Sequence, residues 1–102
     1  MSLHREIGSR LGEANALRSL GHVKRMQDAY AEAEQLYSKA FEIYASIDDK
    51  YSQGGTLLSL AEVYRALGDQ EKARSLADQA KELLASFPQM VQRDEHIMQE
   101  LS

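Results

Sequence analysis

The chain has 102 residues, a formal charge of −4, 43% hydrophobic and 27% charged residues. That length and balance describe one globular domain, and the acidic excess excludes the basic footprint of a nucleic-acid binder. There is no cysteine, which excludes disulfides and cysteine-ligated metals and fits a reducing, cytoplasmic setting.

No apolar stretch approaches the eighteen or so residues that span a bilayer, so no membrane partner is expected. The opening MSLHREIG also lacks an apolar signal core. A single proline and six glycines, in a chain rich in Ala, Leu, Glu and Gln, predict all-α structure.

In chain order, Leu3, His4 and Ile7 fall forty residues before Ile43, Tyr44 and Ile47. Residues 3–9 therefore read as the end of a preceding second helix. A first helix is expected over 11–27, a break at Asp28-Ala29, and a second helix over 30–46 ending at Asp48-Asp49. The next pair is expected over 50–67 and 70–86. Between them Gly68 suits a left-handed C-terminal cap and Asp69 an N-cap. Phe87-Pro88 closes the last helix, because proline cannot continue it. Met90, Val91, Ile97, Met98 and Leu101 make 89–101 a short amphipathic stretch, with Glu100 where Leu20 and Leu60 sit. It reads as a capping helix, since terminal repeats need a polar outer face. The organisation is one domain over 1–102, with repeat 1 at 11–48 and repeat 2 at 50–86.

The repeat is explicit. Residues 17–46 laid over 57–86 agree at eleven of thirty positions, among them Leu17, Leu20, Val23, Ala33, Leu36 and Ala40. A fixed period of this size marks a solenoid of stacked units. It also bears on Gly21, which interrupts the first helix's apolar stripe at a cost of about 1 kcal/mol against alanine. A close approach of the paired helices, with Gly21 opposite a small residue such as Ala33 or Ala40, would offset that cost.

The pattern L-x-x-L-G-x-x-Y followed by A-x-x-x-F/Y-x-x-A resembles the tetratricopeptide repeat. It is met by Leu17, Leu20, Gly21, Ala33, Tyr37 and Ala40, then by Leu57, Leu60, Ala61, Tyr64, Ala73, Ala77 and Ala80. The resemblance covers roughly residues 3–86 and implies an antiparallel helix-hairpin solenoid. Here the period is 40 rather than the usual 34, with Lys24 at the first unit's tyrosine and Ala45 and Ala85 at the signature proline. Such long repeats are similar to those of kinesin light chains and Pins-type polarity adaptors.

Catalysis finds no support. His4, His22 and His96 are scattered, no zinc-binding spacing links them, and no glycine pattern suits a phosphate loop. Neither metal nor cofactor is expected. Asp48-Asp49 and Asp94-Glu95 read as caps or solvated faces. Tyr37, Tyr44 and Tyr64 read as core residues whose hydroxyls reach water or backbone.

What remains is the other stripe of each first helix: Asn15, Arg18, His22 and Arg25, matched in the next unit by Gly55, Leu58, Glu62 and Arg65. The resemblance implies that these positions line a concave groove for a partner peptide or helix. The first row is cationic, which favours an acidic segment. The lysine–asparagine clamp with which chaperone-binding members hold a terminal carboxylate is replaced by Arg18, His22, Leu58 and Glu62. Two readings stand: a non-catalytic adaptor that binds a protein or peptide in the groove, and a structural segment of a longer array that self-associates through its solenoid ends.

Overall fold

The computed structural model describes residues 3–85. They form four helices: α1 (Leu3–Met26), α2 (Tyr30–Ser46), α3 (Lys50–Ala66) and α4 (Gln70–Leu84). The stretch 89–101, expected to cap the solenoid, lies outside the described residues.

One turn is used three times. Asp28, Asp48 and Gly68 adopt left-handed backbone, with φ of 62°, 57° and 91°, and they stand twenty residues apart. At each, the amide of the following residue bonds to the third-last helical carbonyl: Ala29 to Lys24, Asp49 to Tyr44 and Asp69 to Tyr64, at 2.8–2.9 Å. The left-handed residue's own amide bonds to Arg25, Ala45 and Arg65 respectively. This is the Schellman closure, which satisfies carbonyls that a helix end leaves free. Asp49 and Asp69 then start the next helices by accepting from the amides of Ser52 and Lys72, both at 3.1 Å. Ala29 opens α2 without a side-chain cap.

The break expected near residue 10 does not occur, and 3–9 is not a separate helix. α1 runs unbroken for 24 residues through Gly8 and Gly12. No left-handed residue stands there to turn the chain, so the backbone ladder simply continues.

Each helix packs on the next, α1 on α2, α2 on α3 and α3 on α4, in a stack of antiparallel hairpins. The central core joins Ala33 and Tyr37 of α2, Leu57, Leu60 and Val63 of α3, and Ala80 of α4. A second cluster joins Ala14 to Ala40 and Tyr44. The close approach at Gly21 is present, but its neighbour is Tyr37 rather than Ala33 or Ala40. An added Cβ would stand 2.8 Å from the ring. The glycine makes room for an aromatic face, and the alanines pack elsewhere.

The two units are not equivalent in burial. Leu60 and Val63 are 5% and 0% exposed, whereas their counterparts Leu20 and Val23 are each 46% exposed. α3 has α2 lying across it. Among the described residues α1 has no helix before it.

Candidate binding face

Asn15, Arg18, His22 and Arg25 follow one another at three- and four-residue steps, so they share one side of α1. Gly55, Leu58, Glu62 and Arg65 do the same on α3. The two rows meet where Arg18 and Arg25 of α1 reach Gly55 and Glu62 of α3. Arg18 lies against Gly55, where an added Cβ would come within 2.8 Å of Nη2. Arg25 Nη1 pairs with Glu62 Oε2 at 2.5 Å. Leu58 is 42% exposed, and Arg65 is exposed beside it.

The first row is held from below by two tyrosines of α2. The hydroxyl of the buried Tyr37 is hydrogen-bonded to Nδ1 of His22 at 2.5 Å, with the rings edge to face. The buried Tyr44 donates to Oδ1 of Asn15. These hydroxyls were expected to reach water or backbone; instead they reach side chains of the α1 row, and Tyr64 donates to Glu34 at 2.9 Å. Tyrosines set in the core with one polar end emerging can satisfy that end only on the neighbouring helix.

Electrostatics divides the row. Partial burial lowers the His22 pKa below its ordinary 6.5, and the positive charges of Arg25 and Arg18 lower it further. The imidazole is therefore neutral at pH 7. Burial likewise raises the pKa of Tyr37, so its hydroxyl keeps its proton. Arg25 is matched by Glu62, so the row is less cationic than its composition suggests. Arg18 is left as the cation with an unmet requirement: its Nε is buried and has no hydrogen-bond partner.

Sequence reading alone picked out the row but not Tyr37 and Tyr44 as the side chains that hold it. A signal existed in the repeat. Where unit 1 has His22 with Tyr37 and Asn15 with Tyr44, unit 2 has Glu62 with Ala77 and Gly55 with Leu84. Each supported polar residue loses its tyrosine and its identity together.

Elsewhere, a shallow cleft of about 390 Å³ opens between α2, α3 and α4, lined by Phe41, Leu57, Leu60 and Leu76. Its rim groups Glu34, Tyr64 and Lys72 engage one another. Among the described residues no group of three or more His, Cys, Asp or Glu could hold a metal, and no helix is long and apolar enough to cross a membrane.

Stacked antiparallel hairpins on a forty-residue repeat, with a polar row along the first helices, define a helical-repeat protein. The tetratricopeptide repeat family model matches residues 2–86, and the chain belongs to that family. Repeats of this family generally mediate protein–protein interaction and are typically non-catalytic. No curated protein and no solved structure matches the chain.

Proposed function

We propose that the face between α1 and α3 receives an acidic peptide segment of a protein partner, in a non-catalytic adaptor role, with Arg18 as the anchoring residue. The observation that carries this reading is the unmet Nε of Arg18. A buried donor without an acceptor costs about 1–3 kcal/mol, more when charged. An incoming carboxylate would pair with the outer nitrogens of the same guanidinium through charge-assisted bonds, and the planar geometry of that group suits it. Gly55 removes the side chain that would crowd the guanidinium, and Leu58 offers an apolar contact beside it.

Asn15 and His22 supply neutral hydrogen-bonding groups whose orientation is set by Tyr44 and Tyr37. Arg25 serves less directly, because Glu62 competes for it. Arg65 adds an exposed charge that steers approach rather than specifying geometry. An array of extended acidic peptides tests this with the unmodified chain and with Arg18→Gln. Binding that weakens with salt and falls at least tenfold in Arg18→Gln, at unchanged melting temperature, supports the groove. Equal binding by both chains rejects Arg18 as the anchor.

A further inference from the structure

His22 is the residue of the α1 row whose charge can change near neutral pH. It stands half-buried on α1, four residues after Arg18 and three before Arg25. α2 brings up the Tyr37 hydroxyl, hydrogen-bonded to Nδ1 at 2.5 Å, and α3 brings up Glu62. In the free chain partial burial disfavours the imidazolium, and the charges of Arg25 and Arg18 disfavour it further. Glu62 acts the other way but is the smallest of these effects, and its carboxylate is already engaged by Arg25 at 2.5 Å.

We propose, on the basis of the groove reading above, that binding of an acidic peptide to the α1–α3 face is coupled to proton uptake at His22, so that the face holds the peptide more tightly in mild acid than at neutral pH. A carboxylate drawn to Arg18 reverses the local balance. It offsets one of the two positive charges that keep the proton away, and it stands one helical turn from the imidazole. An opposite charge at that range favours the charged form. The proton comes from solvent, and the coupling is reciprocal: the factor by which the peptide raises proton affinity is the factor by which the proton raises peptide affinity.

Tyr37 lets the charge change without a change of place. A hydroxyl can donate to a bare Nδ1 or accept from a protonated one, so the same bond holds the ring in both states. Among the described residues no hydrogen bond engages Nε2, and in the imidazolium that nitrogen is a donor for the incoming carboxylate. The second unit has Glu62 at the place of His22 and Ala77 at the place of Tyr37. Packing of the repeat therefore does not require a histidine–tyrosine pair at this position.

The test uses the 102-residue chain and a peptide of glutamates alternating with serines, blocked at both ends. Such a peptide keeps its charge above about pH 5.5, because glutamate titrates near 4.3. Its dissociation constant is measured at about pH 7.5 and about pH 5.5 at one ionic strength, with helicity followed by circular dichroism at both. The unmodified chain should bind about three- to tenfold more tightly at the lower pH. In His22→Asn the two constants should agree within about twofold, whatever their absolute size. His4 and His96 remain in that variant, so a response that survives there belongs to another group. The His22 ring signals of the unmodified chain, titrated with and without saturating peptide, read the same coupling without a substitution, and the peptide should move the midpoint upward. No tightening in mild acid, a response retained in His22→Asn, or an unmoved midpoint overturns the coupling and leaves the groove standing. Absence of binding at both pH values removes the groove reading, and the coupling with it.

Discussion

Gly21 and the ring of Tyr37 are packed so closely that a Cβ on the glycine would stand 2.8 Å from Cε1 and 2.9 Å from Cδ1. Tyr37 is fully buried and its hydroxyl is fixed on His22, so the ring cannot move aside cheaply. Gly21→Ala gains about 1 kcal/mol of helix propensity but overpacks the hairpin at a typical cost of about 1–3 kcal/mol. A net loss of up to about 2 kcal/mol is expected in urea unfolding. Gly12→Ala is the control, because nothing lies within 4 Å of its added Cβ. It should stabilise the chain by about 1 kcal/mol, and a stabilising Gly21→Ala would refute the packing role.

The unequal burial of the two units predicts unequal mutational costs at identical residues. Leu60→Ala removes a core side chain and should cost about 2–4 kcal/mol. Leu20→Ala, at the matching position, should cost under about 1 kcal/mol because the side chain is already half in water. Equal losses in thermal unfolding would contradict the open face on α1.

The three turns predict a stabilising substitution. Asp48 holds φ of 57°, a conformation that costs a residue with a Cβ about 1–2 kcal/mol, although aspartate tolerates it better than most. Gly68 occupies the same place in the third turn without that strain. Asp48→Gly should therefore raise stability by about 0.5 kcal/mol, after allowing for the extra freedom of glycine in the unfolded chain. The melting temperature reads this directly. Asp28 is the poorer choice, since its carboxylate accepts from Tyr30 at 3.0 Å.

The depressed pKa of His22 sets a pH dependence with a definite sign. Its folded value lies below 6.5, so between that value and 6.5 the unfolded chain holds the extra proton. The stabilisation is fully present above the unfolded pKa and is lost as pH falls through 6.5 towards the folded pKa. His22→Asn, which does not titrate, should flatten the stability profile between about pH 7 and pH 5. A profile as steep as the parent's would place the titration on another group.

Much of the fold was legible because its signals are local. Helix ends were written in Asp28, Asp48-Asp49 and Gly68-Asp69, and the α2 and α3 boundaries follow from them. The missing break near residue 10 shows the limit of matching by repeat alone. Leu3 and Ile7 match Ile43 and Ile47 in type, but no left-handed residue turns the chain after them. The polar row on α1 was legible as spacing on one helix side. Its internal support was harder to read, because Tyr37 and Tyr44 belong to another helix and to the core.

Sequence by itself determined the period of 40, the four helices after residue 11 and the family, since capping, helical spacing and self-similarity all act within a few tens of residues. Only the tertiary structure decided what each repeated position does. It set Gly21 against an aromatic ring, matched Arg25 with Glu62 and left the Nε of Arg18 without an acceptor. It also buried Leu60 while exposing Leu20. These outcomes depend on which helix lies across which, and that is a property of the stack rather than of any one repeat.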